Sequence, residues 1–172
     1  MSSTQPRAGA HGRSRKRAPL TLAQFRQLSE LRYQLRKFLH FSQDAAERAA
    51  IRPQQHQLLL AVHGMPAEEE PSIANVAHRM LLKHNSAVEL VDRTIELGFL
   101  RRTHDQIDHR RILLRLTPEG EQLLRSLTEH HLTELEEAGP RLIEALQRVI
   151  SGEGAGDAGG EDAPLAAREA KH

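Results

Sequence analysis

His84, Asn85, Ser86, Glu89 and Arg93 lie close together in the chain. If residues 84–97 form a helix, Val88, Val91 and Ile95 fall at i, i+3 and i+7 and take the core side. The five polar residues are then left on the outer face, near the helix start. Asparagine pairs bidentately with adenine, serine donates or accepts at a base edge, and a helix N-terminus favours phosphate. A second group follows at Asp108, Arg110 and Arg111. A guanidinium suits the negative potential of a narrow minor groove, and Asp108 is placed to aim Arg110 by a charge-assisted bond. This is the chemistry of reading a duplex. The plainer alternatives are that Asn85 and Ser86 cap a helix, and that the second group is an exposed turn with a weak ion pair.

The elements around these residues are legible. A short helix is predicted over Ser72–Met80, burying Ile73, Val76 and Ala77, with Leu81 filling a tight turn before the helix His84–Leu97. Gly98 stops that helix. Phe99–Thr103 and Arg111–Leu116 read as strands around a tip at His104–Arg110, and Thr117-Pro118-Glu119-Gly120 starts another helix. Two helices and then a basic-tipped hairpin are what a winged helix-turn-helix uses to reach both grooves. The expected fold class is therefore mainly α with a small β-hairpin wing, a winged helix-turn-helix joined to a helical dimerisation region.

Upstream, Thr21 is placed to cap a long helix running to about Ala50, with Leu22, Phe25, Leu28, Leu31 and Leu35 among its apolar stripe. Pro53 suits the first turn of a helix carrying Leu58, Leu59, Leu60 and Val62. Gly64-Met65-Pro66 ends it, and Glu68-Glu69-Glu70 before Pro71 reads as a solvated charge run. Downstream, Leu123, Leu124, Leu127, Leu132 and Leu135 form a stripe. Gly139-Pro140 is expected to break or sharply kink that helix, leaving a last one with Leu142, Ile143, Leu146, Val149 and Ile150.

A chain of 172 residues allows one domain with tails. Aromatics are only 3%, so the core must come from aliphatic side chains, which suits packed helices. With no cysteine, disulfides, thiol sensing and thiolate metal sites are excluded. The net charge of +1 is unevenly spread: residues 1–20 carry +5, residues 152–172 carry −3, and the body is left at −1. Affinity for DNA must then come from where the cations sit. No stretch is apolar enough for a membrane span or a secretory signal, and a cytoplasmic protein is expected.

The segment from Ser72 to Leu124 resembles the MarR family of bacterial transcriptional regulators. Gly98-Phe99-Leu100, Asp108-His109-Arg110 and Leu116-Thr117-Pro118-Glu119-Gly120 match the family's glycine step, wing and helix start. With the flanking helices in the same order, the resemblance covers about residues 21–150. It implies an obligate homodimer, in which the first and last helices of two subunits interlock on double-stranded DNA. It also implies repression relieved by a small-molecule effector, often a phenolic or aromatic acid, bound between the dimer helices and the reading head. Arg36, His40, His56 and His63 are candidates to contact such an effector. The division that follows is a basic arm at 1–19, expected disordered, dimerisation helices at 20–52 and 118–150, a winged helix-turn-helix at 53–117, and an acidic tail at 151–172, also expected disordered.

Other readings are weaker. His131 and Glu134 (i, i+3) would hold a metal only with further ligands such as His56 or His63, and solvated histidines are the commoner case. No phosphate loop, nucleophile elbow or spaced carboxylate pair points to an enzyme, and no cofactor is implied. A winged helix turned protein-interaction module remains open, and salt dependence of binding separates it from a DNA reader.

Overall fold

Four of the five helices begin at a local signal, a hydroxyl cap or a proline. The computed structural model describes residues 19–105, 108 and 111–152. Helix α1 (Leu22–Arg48) opens on a reciprocal cap: Thr21 Oγ1 accepts from the Gln24 amide, and Gln24 Oε1 accepts from the Thr21 amide. Helix α2 (Pro53–His63) starts at its proline and ends at Gly64. Helix α3 (Ile73–Arg79) is capped by Ser72, whose hydroxyl accepts from the Asn75 amide. Helix α4 (His84–Glu96) follows after a short turn. Strands β1 (Leu100–His104) and β2 (Ile112–Leu116) pair antiparallel, with Leu100 opposite Leu116 and His104 opposite Ile112. Helix α5 (Pro118–Ser151) is capped by Thr117. The fold is mainly α with a two-stranded wing, as the sequence predicts.

Gly139-Pro140 does not divide the last helix, which is a correction to the expected break. Helix α5 runs through Pro140 as one element. Proline in a helix presses its Cδ on the Cβ of the residue before it. That residue is Gly139, which has no Cβ, so part of the clash is absent.

Helix α1 packs along α5, and α2 joins that pair to α3, α4 and the hairpin. Leu58 and Leu59 of α2, Val76 of α3, Val91 of α4, Leu100 of β1 and Leu114 of β2 are fully buried together. Each contributes roughly 1.5–3 kcal/mol of apolar burial. This core fixes α4 and the hairpin as one rigid head. By contrast, α1 and α5 leave Phe25, Leu28, Leu39, Leu132, Ile143 and Ile150 exposed. No helix of the described residues is long and apolar enough to cross a membrane.

Three helix ends share one geometry. After α1, the Ile51 amide donates to the Ala46 carbonyl and the Ala50 amide to Glu47. After α3, Leu82 donates to Ala77 and Leu81 to His78; after α4, Phe99 donates to Thr94 and Gly98 to Ile95. This is the Schellman closure, which needs a left-handed residue just past the helix. Gly98 fills that place at φ 79°, whereas Ala50 and Leu81 are forced to φ 56° and 55°. Leu81 therefore does not fill the turn as predicted. It is 90% exposed, and Leu82 packs against the core instead.

Candidate nucleic-acid interface

The outer face of α4 carries His84, Asn85, Ser86, Glu89 and Arg93, all exposed. The N-cap is Lys83, without a side-chain cap bond, so Asn85 and Ser86 stand inside the first turn and do not cap it. Their side chains make no hydrogen bond among the described residues. Arg93 folds back along its own helix, with Nε donating to the Glu89 carbonyl at 3.1 Å and the Glu89 carboxylate 3.6 Å away. The fully buried residues are Ala87, Leu90, Val91 and Thr94; of the predicted Val88, Val91 and Ile95, Val91 is among them, Ile95 packs against the core partly buried, and Val88 is half-buried. Thr94 is buried at no cost in hydrogen bonding, because its hydroxyl donates to the Leu90 carbonyl at 2.7 Å.

The base of the wing is locked to α5. The Thr117 hydroxyl donates to the Gly98 carbonyl at 2.6 Å and accepts from the Gly120 amide at 3.1 Å. The Thr117 amide donates to the Phe99 carbonyl. A Cβ at position 120 would stand 2.1 Å from that same carbonyl oxygen, so glycine is required there. The Gly98-Phe99 step and the Thr117–Gly120 start are thus two halves of one joint.

At the tip, the Asp105 amide donates to the Arg111 carbonyl, and the Arg111 amide donates to Asp108. The Asp108 amide donates to Asp105 Oδ1 at 3.1 Å. Asp105 is buried and organises this turn, a role the sequence reading missed. Its signal was available, since aspartate side chains accept from amides a few residues on in turns. Arg110, with the proposed Asp108–Arg110 bond, lies outside the described residues.

The acidic run before Pro71 is not simply solvated. Glu69 Oε1 lies 3.5 Å from Arg79, and Glu70 takes both arms of the Arg111 guanidinium. Arg102 pairs with Asp92 of α4 at 2.5 Å. Arg111 therefore stands at the wing with its charge already matched.

The candidate effector residues are dispersed. Arg36 and His40 are exposed on α1, and His40 sits 3.1 Å from Asp44. His63 lines a cleft beside the wing. His56 is buried with its Nδ1 unpartnered, its ring centroid 4.9 Å from that of His131. Burial, and then the neighbouring His131, lower the His56 pKa from 6.5 to about 4. The Leu127 carbonyl can only accept, so His131 Nδ1 donates to it at 2.6 Å, and His131 Nε2 lies in hydrogen-bond contact with the Ser42 hydroxyl at 2.8 Å. Both nitrogens of His131 are engaged, and no cluster of metal-binding side chains is found among the described residues.

No protein-family profile matches the chain, and no curated protein matches it in sequence. Solved structures do match. A MarR family protein from Bacillus stearothermophilus is 20% identical with a TM-score of 0.59, over 77% of this chain and 94% of that one. AbsC, a MarR family transcriptional regulator from Streptomyces coelicolor, is 14% identical with a TM-score of 0.56, over 73% and 86%. The YusO protein from Bacillus subtilis is 24% identical with a TM-score of 0.53, over 80% and 96%. The likeness spans most of this chain and of each matched protein, and the fold of this chain is that of the MarR family of transcription regulators.

Proposed function

We propose that this chain is a DNA-binding transcriptional regulator that reads a pseudo-palindromic operator as a homodimer. The observation that carries the reading is the first turn of α4, where His84, Asn85 and Ser86 are exposed and the side chains of Asn85 and Ser86 make no hydrogen bond among the described residues. On a helix braced by a wing, those side chains are free to meet base edges in the major groove, and the sequence pattern makes Arg110 the candidate for a minor-groove contact. The likeness of fold to MarR-family regulators supports the same reading.

Support for a dimer comes from α1 and α5, whose exposed Phe25, Leu28, Leu39, Leu132 and Ile143 form an apolar surface a lone subunit leaves in water. Residues 20–52 and 118–150 are accordingly assigned to dimerisation and residues 53–117 to reading. The role of repressor released by a small-molecule effector rests on the resemblance to the MarR family. The test is footprinting on genomic DNA selected by the protein, with affinity measured across salt. The expected result is two protected half-sites centred about 10 base pairs apart, and binding that falls steeply with salt. A particle of 19.3 kDa in sedimentation, or binding indifferent to salt, would overturn the reading in favour of an interaction module.

A further inference from the structure

Arg101 and Arg115 are direct cross-strand partners in the hairpin, and both are exposed. Like charges directly opposite one another destabilise a β-pair. Neighbouring arginines of the head are each matched to a carboxylate: Arg79 to Glu69, Arg102 to Asp92 and Arg111 to Glu70. The side chains of Arg101 and Arg115 make no ion pair or hydrogen bond among the described residues. Yet Glu69 and Glu70 line the same cleft as this pair and turn away to Arg79 and Arg111. Two adjacent cations are left open while carboxylates beside them serve other partners.

The cleft has a volume of about 720 Å³, within the range of small-molecule sites. Its lining is mostly polar, with Thr103, His104 and Asp105 beside the two glutamates, and Met65 and Pro66, with the edges of Val62 and Leu113, give a small apolar flank next to His63. It lies on the far side of the hairpin from α4, because side chains alternate along a strand and Arg102, next to Arg101, points to Asp92 of α4. That places it away from the helix offered to the major groove.

We propose that this cleft binds a small organic oxyanion, a carboxylate or a phosphate monoester on an apolar body. Each guanidinium presents a planar fork of N–H donors, and the register places the two residues directly opposite one another on the face that lines the cleft. The anion relieves the repulsion between them, and the body lies on the apolar flank. The site is separate from the four dispersed effector candidates except His63, and it does not depend on DNA binding.

The test is calorimetric titration of the full chain with phenyl phosphate, hexanoate and inorganic phosphate, at ionic strength held constant with chloride. Phenyl phosphate or hexanoate is expected to bind saturably and to shift the amide resonances of Thr103 and Leu113. The tighter of the two identifies the head group. Arg101→Gln and Arg115→Gln are each expected to weaken binding by about tenfold, as loss of a charged hydrogen bond does. Their ligand-free melting temperature should hold or rise, which shows that they fold. Absence of saturable binding by all three probes overturns the proposal, as does undiminished binding by the double variant. Inorganic phosphate binding as tightly as phenyl phosphate overturns the apolar-bodied ligand class. A double variant that loses duplex affinity, with no probe binding to the parent, assigns the pair to nucleic acid instead.

Discussion

Arg111, at the foot of β2, closes both arms of its guanidinium on the two carboxylate oxygens of Glu70, 41 residues earlier in the chain. Just beyond, the Leu114 amide donates to the Pro71 carbonyl at 2.8 Å. The loop before α3 is thereby fastened along the wing. The ion pair is partly exposed and worth about 0.2–1 kcal/mol in stability, so its larger effect is on charge and position.

Replacing Glu70 with Gln removes the countercharge from Arg111. The expected outcome is a salt slope of DNA binding steeper by about one charge, with little change in melting temperature. Fluorescence anisotropy across salt measures it. A weaker complex with an unchanged slope would show instead that Glu70 acts by holding the wing in place.

Base reading and groove anchoring should separate by mutation. Asn85→Ala is expected to alter base preference within each half-site and cost about 1–3 kcal/mol at the preferred base. Arg110→Ala should weaken binding by roughly 1–3 kcal/mol and flatten the salt slope by about one unit. Selection from randomised operators, beside titration in salt, distinguishes the two. An Arg110→Ala protein that binds like the parent at every salt concentration would remove the wing from the interface.

The left-handed helix ends make a prediction about stability alone. Leu81→Gly relieves backbone strain at φ 55° and loses almost no burial, since Leu81 is 90% exposed. It is expected to stabilise the fold by about 1 kcal/mol, and Ala50→Gly by a similar amount. Gly98→Ala should destabilise by about as much, for the converse reason. Urea melts of the variants check the signs. A loss of stability in Leu81→Gly would mean that this leucine has a contact outside the single chain.

His56 links stability to acid. Unfolded, it takes a proton near 6.5; folded, it resists until about 4. The unfolded state therefore binds more protons between those values, and stability falls as pH drops through them. The stabilisation is complete above 6.5, and its loss approaches about 3 kcal/mol at pH 4. Urea melts from pH 7.5 to 4 should show this decline, and His56→Leu should flatten it. Parallel curves for the two proteins would contradict the assignment.

The sequence made plain what depends on neighbours in the chain. Thr21 and Thr117 cap helices because a hydroxyl beside a helix start reaches its free amides. The exposed set on α4 was legible because its polar residues have no place in the core. What was hidden depends on contacts across the fold. On the core face of α4 Val91 and Ile95 were legible, but Thr94 was missed because it reads as polar, until the Leu90 carbonyl accepts its hydroxyl. Glu69 and Glu70 read as solvated because Arg79 and Arg111 lie beyond any local window. Leu81 was assigned to the turn's interior because its type is apolar, although the helix closure turns it outward. The effector candidates were grouped by residue type alone, and the fold scatters them.

The unbroken α5 behaves mechanically as a lever. Its 34 residues make a rod roughly 50 Å long. One end is stapled to the wing through Thr117, Gly98 and Phe99. The other end carries exposed Ile143 and Ile150. Rocking such a rod by about 5° at its far end swings Thr117 through roughly 4 Å, on the scale of the rise between adjacent base pairs. In the proposed homodimer, the splay of two such rods would gear the distance between two wings. A small change in how the distal helices clasp would then be read out as a change in the stride of the reading heads along a duplex.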